Sequence, residues 1–439
     1  MGNFCLIYKM NTNEVNAGDF VKITTSDKIF EGHLMPEYEL ESKEFLFVKL
    51  KSGYNVGIRK DRILNTEIIK INAEKGILEG EGKEESDFEN AAGKILILAT
   101  GGTIASKIDY ITGGVKPAFS ANELLSTVPE ISKTGVEISG KQILNKFSEN
   151  LTPDDWIKIA CEVYNSVKKG AKGIIIPHGT DTMHYSSAML SFMLKNLNIP
   201  VVFTGAQRSS DRGSSDATLN LINSIYFASQ AEKFNDKGVF VLMHEGIDDK
   251  FCVVFRGTRV RKMHTSMRDA FKGDKFARLS FFEKKFERSV KKEANLTSNN
   301  PQVILDTKIE KNVMLLKYFP TLTPEIFEIL CEKYKGIVIE GTGLGHVNEL
   351  LIGSIKRAID NGKFIAMTSQ TIFGRINMNV YATGRRQLKA GVVPCEDMFP
   401  EVAYIKLMFA LGHYNKYEDI KNFMLTNIAY EINERSEIK

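Results

Sequence analysis

Two short apolar runs in this chain end in glycine and are followed at once by threonine. Residues 94–102 precede Thr103, and residues 173–179 precede Thr180 and Asp181. Apolar runs of this length predict buried strands, and open α/β sheets bind their ligands beyond the carboxyl ends of the strands. Either motif alone is typical of an ordinary turn. Together they predict two threonine hydroxyls at one edge of one sheet.

A threonine hydroxyl becomes a useful nucleophile only when a proton acceptor and a charge partner lie nearby. Lys262, which follows Arg256, Arg259 and Arg261 in the sequence, is the best candidate. Burial lowers the pKa of a lysine, whereas a neighbouring carboxylate raises it. Because these effects oppose each other, the sequence leaves open which threonine Lys262 activates. Taken alone, this lysine would be interpreted as a basic surface residue.

The two threonine motifs, Thr100-Gly-Gly-Thr-Ile-Ala105 and His178-Gly-Thr-Asp-Thr182, resemble those of the L-asparaginase/glutaminase superfamily. The resemblance extends from about residue 93 to about residue 415. More narrowly, the whole chain is similar to the D-subunit family of archaeal glutamyl-tRNA(Gln) amidotransferases, which has an N-terminal segment that ordinary asparaginases lack. The features that carry this closer similarity are residues 53–59, 256–271 and 391–402.

The resemblance implies a role for each residue of the two motifs. Thr103 would attack the side-chain amide carbon of the substrate and form an acyl-enzyme. Thr180, Lys262 and Asp181 would form a proton relay, and this motif match favours a catalytic Lys262 over a surface one. Asp181 would also hold the α-ammonium group of the substrate through a charge-assisted hydrogen bond.

Three further residues match substrate-binding positions of the family. Ser148 and Glu149 match its Ser-Gln or Ser-Glu pair, in which the serine hydroxyl binds the α-carboxylate; the charge of Glu149 leaves the choice between glutamine and asparagine open. Tyr110 lies in residues 109–116, which match a glycine-containing loop that closes over the substrate and excludes water. The alternatives are that Ser148 caps the following helix, a role that residues 152–154 fill better, and that Tyr110 covers the edge of the core.

Composition excludes several other classes of protein. The chain has 439 residues, 43% of them hydrophobic and 26% charged, as in ordinary globular proteins. A net charge of +4 is too small to indicate nucleic-acid binding. Five scattered cysteines without a Cys-x-x-Cys pair, and the lack of a secretory signal or a membrane-spanning run, predict a cytoplasmic location. We expect no metal site and no Walker-type loop, hence no cofactor in this subunit.

The pattern of strands and turns predicts an α/β protein with several units. We expect an asparaginase-like two-domain architecture of parallel-sheet α/β type, preceded by a small N-terminal β-barrel domain. The expected boundaries are residues 1–72 for the barrel, 73–92 for a linker, 93–285 for the domain with the catalytic motifs, 286–308 for a second linker and 309–439 for the C-terminal domain.

The resemblance implies a glutaminase subunit that hydrolyses glutamine to glutamate and ammonia. A partner subunit of the E type would use this ammonia, with ATP and Mg, to convert Glu-tRNA(Gln) to Gln-tRNA(Gln), and the chain would form a homodimer within a heterotetramer. One alternative is a free-standing cytoplasmic L-asparaginase, against which the N-terminal segment speaks. Another is an RNA-docking scaffold with an inactive site, against which the intact set of Thr103, Thr180, Asp181 and Lys262 speaks.

Overall fold

The computed structural model contains three sheets that can be assigned to successive parts of the chain. It describes residues 15–16, 18–35, 44–50, 55–70, 91–102, 106–108, 115–117, 134–208, 215–289 and 302–435. Most of the linker expected at residues 73–92 therefore lies outside the described residues. Within the described part of the chain, no helix is both long enough and apolar enough to cross a lipid bilayer.

The first sheet is small and antiparallel, with the strand order β4-β3-β2-β1-β5. In β1 the residues alternate between a buried and a half-buried side, so that Val21 and Ile23 enter a core of their own with Leu34 and Val48. This alternation is what a strand with one apolar face requires. The five strands are β1 (Phe20–Thr25), β2 (Ile29–Leu34), β3 (Phe45–Leu50), β4 (Asn55–Arg59) and β5 (Ile63–Lys70).

The central sheet has eight strands in the order β16-β15-β14-β13-β12-β10-β6-β9. The strands from β13 to β9 in this order are parallel, as expected, and β6, β10 and β12 are buried along their whole length. The strands are β6 (Ile95–Ala99), β9 (Ile138–Gln142), β10 (Gly173–Pro177), β12 (Pro200–Thr204), β13 (Gly238–His244), β14 (Cys252–Lys262), β15 (Phe271–Ser280) and β16 (Lys285–Arg288); β7 (Ser106–Ile108) and β8 (Val115–Pro117) form a separate hairpin.

The last three strands of the central sheet depart from the parallel arrangement that the sequence predicts. β14, β15 and β16 are antiparallel to their neighbours. The connections 245–251 and 263–270 are short, and short connections join antiparallel strands, whereas parallel strands need a crossover. The sheet is thus mixed, and β14 belongs to its antiparallel part.

Helices cover both faces of the central sheet. Helix α1 (Pro153–Lys168) and α2 (Met183–Met193) pack on one face, and α3 (Ala217–Phe234) packs on the other. The periodicity predicts that α2 continues to Leu197, but it ends at Met193, because the chain there turns into β11 (Leu194–Lys195), which pairs with β17 (Ile304–Leu305).

The C-terminal sheet is parallel, with the order β18-β19-β20-β21. Helix α7 joins it to the central unit, since Phe409 of α7 packs on Phe192 of α2 and both belong to one continuous apolar core. The elements are β18 (Val313–Lys317), α4 (Pro324–Lys333), β19 (Gly336–Gly341), α5 (Ile352–Asp360), β20 (Phe364–Ser369), α6 (Ala382–Ala390), β21 (Val393–Pro394), α7 (Pro400–His413) and α8 (Tyr417–Leu425).

Candidate active site

The two threonine motifs follow neighbouring strands of the central sheet. β6 and β10 are parallel, with Ile97 opposite Ile175, so their carboxyl ends lie side by side. Immediately beyond them, the Thr100 hydroxyl donates to the carbonyl of Pro177 at 2.9 Å, in a buried contact that ties the two strand ends together. The structure therefore brings residues 100–102 of the first motif and the beginning of the second motif to one edge of the sheet.

Glycines make this close approach possible. Gly102 has a φ of +81°, and a Cβ atom built on it would lie 2.3 Å from the backbone nitrogen of Gly179. A Cβ atom on Gly179 would in turn lie 2.7 Å from the hydroxyl oxygen of Ser148. Only residues without a side chain fit at these two positions. The chain consequently leaves β6 against the Thr180 turn just before Thr103; Thr103 and Tyr110 themselves lie outside the described residues.

Lys262 reaches the same edge from the end of β14. Its Nζ donates to Thr180 Oγ1 at 2.8 Å and lies 2.9 Å from Asp181 Oδ1. The side chain of Lys262 is only 10% exposed, whereas that of Asp181 is 66% exposed. The lysine is thus not a free surface residue. Lys262 thus contacts Thr180, and the side chain of Asp181 keeps a side that is open to solvent.

Ser148 lies beneath the same turn, and Glu149 is exposed next to it. The Thr182 hydroxyl donates to the carbonyl of Ser148 at 2.7 Å, and the Thr182 amide lies 3.4 Å from the serine Oγ. Ser148 does not cap α1. That role belongs to Thr152, which forms a reciprocal capping box with Asp155, while Pro153 occupies the first turn. Ser148 is therefore a buried residue of the Thr180 edge and not the cap of α1.

Two buried histidines flank the second motif. Burial lowers the pKa of His178 to about 4, although its Nδ1 contacts the carbonyl of Gly179. Burial, together with the positive charges of Arg261 and Lys262, lowers the pKa of His184 to about 3. Both imidazoles are neutral near pH 7. Neither is among the residues that we expect at the site from the sequence, where their proximity to Thr180 is the only signal.

The described part of the chain holds no group of three His, Cys, Asp or Glu side chains arranged to bind a metal ion. The thiols of Cys331 and Cys395 are also unsuited to nucleophilic chemistry, because burial raises their pKa to about 11 and about 12. The chemistry available at this edge is that of hydroxyl groups, a lysine and a carboxylate. Such a set suits acyl transfer from an amide or ester.

Three family models match the chain in succession. The GatD N-terminal domain matches residues 15–69, the N-terminal asparaginase domain matches residues 94–296, and the glutaminase/asparaginase C-terminal domain matches residues 312–424. The observed fold agrees with these matches, because the small antiparallel sheet, the central sheet and the C-terminal sheet lie in the three matched regions. The expected asparaginase-like architecture with a small N-terminal β-domain is confirmed.

Curated relatives are similar over nearly the whole chain. The D subunit of the glutamyl-tRNA(Gln) amidotransferase of Pyrococcus abyssi is 46% identical over 96% of this chain and 96% of its own length. The proteins of the same name from Pyrococcus furiosus and Methanococcus maripaludis are 47% and 45% identical, over 95% and 96% of this chain and 95% and 99% of their own lengths.

Solved asparaginases are similar over a shorter part. The thermostable L-asparaginase of Thermococcus kodakarensis has a TM-score of 0.68 and 32% identity, and it covers 77% of this chain and 99% of its own. A probable cytoplasmic L-asparaginase of Campylobacter jejuni has a TM-score of 0.64 and 27% identity, and it covers 76% of this chain and 100% of its own.

Proposed function

This chain belongs to the family of glutamyl-tRNA(Gln) amidotransferase D subunits, and we infer that it is the amide-hydrolysing subunit of such an enzyme, releasing ammonia from glutamine. A subunit of this kind has a partner amidotransferase subunit. The alternative of a free-standing asparaginase is less well supported. The solved asparaginases of Thermococcus kodakarensis and Campylobacter jejuni cover 77% and 76% of the chain, whereas the D subunits of Pyrococcus abyssi and Pyrococcus furiosus match 96% and 95% of it, and the N-terminal region matches the model of the GatD N-terminal domain.

The observation that carries the proposed chemistry is the contact of Lys262 with Thr180 and Asp181. In the proposed reaction Thr103 Oγ attacks the side-chain amide carbon of glutamine. Its proton passes to Thr180 as Thr180 gives its own proton to a neutral Lys262. The proton then goes to the departing nitrogen, which leaves as ammonia, and the Thr103 ester remains. Water hydrolyses this ester to glutamate and restores the threonine hydroxyl.

The remaining site residues would orient the substrate. We propose that the open side of Asp181 accepts a hydrogen bond from the α-ammonium group, and that the hydroxyl of Ser148 donates to the α-carboxylate. Glu149 and Tyr110 complete the proposed binding site, with the loop 109–116 closing over it. The burial of Ser148 and Thr180 beside the exposed Asp181 supports a pocket that holds the polar end of an amino acid.

The finer identity of the partner is also a proposal. It would be a subunit of the E type that uses ATP and Mg to amidate Glu-tRNA(Gln), in a heterotetramer built on a homodimer of this chain. Because uncoupled ammonia production wastes glutamine, we expect hydrolysis to be slow in the isolated chain. Binding of the partner and of charged tRNA can accelerate it only by favouring the closed, catalytically complete site over the open one.

Ammonia release tests both levels of the proposal. Thr103→Val should abolish hydrolysis of glutamine in the folded protein, because only the hydroxyl is lost, whereas Thr103→Ser should keep part of it. Activity of the wild type should rise from the chain alone, to the chain with its partner, to the complex with Glu-tRNA(Gln). Full activity of the valine variant would refute the assignment of Thr103 as the nucleophile. Equal rates in all three conditions, with asparagine preferred over glutamine, would refute the amidotransferase function.

A further inference from the structure

The strand that carries Lys262 has a regular neighbour on one side only. β13 pairs with β14 from Cys252 to Arg256, and in the described residues β15 alone is registered with the part that ends at Lys262. Even this register is irregular between Phe255 and Val260. Because a strand is positioned by its hydrogen-bonded neighbours, the end of β14 needs another support if Lys262 is to keep its place.

The C-terminal unit supplies such a support by binding two arginines of β14. Arg259 and Arg261 are two residues apart, so they lie on the same face of β14, while Lys262 points away from that face. Arg259 donates to the carbonyl and the carboxylate of Asp397, at 2.9 and 3.1 Å. Arg261 Nε lies 3.1 Å from Glu401 Oε1. Arg259 thus contacts the segment that leads into α7, and Arg261 contacts the first turn of that helix.

The pair of Arg261 and Glu401 is largely withdrawn from water. The side chain of Glu401 is 5% exposed and that of Arg261 is 22% exposed. Burial raises the pKa of Glu401, as does the nearby charge of Glu340, whereas the charge of Arg261 lowers it. The other carboxyl oxygen of Glu401 has no hydrogen-bond partner among the described residues. Arg261 is therefore its principal compensating charge, and loss of either partner leaves the other poorly satisfied.

We propose that Glu401 is a positioning residue for Lys262. By holding Arg261, the adjacent residue of β14, it fixes the strand end so that Lys262 Nζ stays within reach of Thr180 and Asp181. The inference rests on the proposed role of Lys262 as the relay base. Neither Glu401 nor Arg261 contacts the substrate in this scheme. A catalytic group misplaced by about 1 Å can lose about a hundredfold in rate, so a support of this kind matters.

This role differs from that of a simple tie between two domains. An ion pair that only joins two domains contributes to stability wherever it lies. A positioning pair also changes the turnover rate, because it holds the strand that carries Lys262. The ion pair between Asp306 and Lys195, at 3.0 Å, offers a matched comparison, since Asp306 also contacts His413 of α7. It lies at the far end of α2 from the Thr180 turn, and an 11-residue helix spans about 16 Å.

The test measures glutamine hydrolysis by the full chain in complex with its partner subunit. The variants are Arg261→Gln, Glu401→Gln and the double variant, with Asp306→Asn as the control. Arg261→Gln and Glu401→Gln should each lower kcat about tenfold with little change in KM, because the contacts with the substrate are intact. The double variant should lose no more than the worse single one, since both changes break the same interaction. Asp306→Asn should lower the melting temperature but leave kcat unchanged.

Several outcomes would overturn the inference. These are wild-type kcat in Glu401→Gln, multiplicative losses of about a hundredfold in the double variant, or an equal loss of kcat in Asp306→Asn. If Glu401→Gln does not fold, Glu401→Asp keeps the charge on a shorter stem, and it should still lower kcat without raising KM. Lys262→Met separates the two proposals: if it stays active, the relay role of Lys262 fails and the positioning role fails with it, and if it is inactive while Glu401→Gln is fully active, only the positioning role fails.

Discussion

The central sheet and the C-terminal sheet each contain a strand that runs into a Gly-Thr sequence, but the two threonines, Thr180 and Thr342, have different surroundings. Beyond β10, Thr180 is buried and contacts Lys262. At the end of β19, Thr342 is exposed, and its hydroxyl donates to the carbonyl of His346 at 3.2 Å, which closes a tight turn. The local motif thus only presents a hydroxyl, and the lysine that contacts Thr180 comes from a second strand.

The neighbouring residues of the two turns differ in the same sense. Thr180 is followed by the carboxylate of Asp181, which can bind both Lys262 and a ligand, and Thr342 is followed by Gly343, which has no side chain. Crowding also differs, because Gly102 fits against the Thr180 turn without room for a Cβ atom, whereas nothing lies within 4 Å of a Cβ atom on Gly343. The Thr180 turn is tightly packed at the edge of the central sheet, whereas the Thr342 turn lies at the surface.

The largest expected effect concerns the lysine. Lys262→Met should lower glutamine hydrolysis by about a hundred- to ten-thousandfold, the usual loss when a general base is removed. Arginine should not restore activity, because it cannot give up a proton at working pH. Thr342→Val, the matched change at the other turn, should leave the rate unaltered. A steady-state rate within a fewfold of wild type for Lys262→Met would show that the two turns are chemically equivalent.

Next in size is the cost of a side chain at the two glycines. Gly102→Ala should lower the free energy of unfolding by more than about 3 kcal/mol, because the new Cβ atom would meet the backbone of Gly179 at 2.3 Å. Gly343→Ala should cost only about 1 kcal/mol, since its φ of +48° is strained for alanine but the space is open. Chemical denaturation compares the two variants, and equal losses would contradict the close packing at the Thr180 edge.

The smallest expected effect is an acid sensitivity that belongs to the Thr180 edge. His178 has a pKa of about 4 in the folded protein, whereas a histidine in the unfolded chain titrates near 6.5. The unfolded chain therefore binds a proton first. The stability present above pH 6.5 is lost as the pH falls towards 4, by about 3 kcal/mol. His178→Asn should flatten the decline of unfolding free energy between pH 7 and pH 4, and an unchanged slope would refute this assignment.

Much of the fold can be predicted from the sequence, because many of its elements depend on local patterns. The continuous apolar runs of β6, β10 and β12 mark strands buried on both faces, and Thr152 with Pro153 marks the beginning of α1. The end of α2 is less well predicted. Its apolar residues continue past Met193, but pairing between β11 and β17, about 110 residues apart in the sequence, outweighs the local helical preference.

β14 is the element that the sequence describes least well. Taken alone, its basic residues would be interpreted as surface residues, yet Arg256 and Arg259 are buried. Arg256 lies over the rings of Phe240, Phe276 and Tyr430, and Arg259 contacts two carboxylates and two backbone carbonyls. Local patterns cannot reveal such partners, because they come from distant parts of the chain. The catalytic roles and domain boundaries that we expect from the sequence stay predictions.

The sequence by itself determined the family and the strands that lead into the two threonine motifs, and it predicts a small set of residues for amide hydrolysis. These follow from residue types at short spacing, which fix strand, turn and hydroxyl in one local segment. Only the tertiary structure decided that Lys262 contacts Thr180, that His178 and His184 are buried near the Thr180 turn, and that Arg261 at the end of β14 pairs with Glu401. The contacts of Lys262 with Thr180 and of Arg261 with Glu401 join residues about 80 and about 140 positions apart. The energies of all these relations depend on burial and distance, which exist only once the chain has folded.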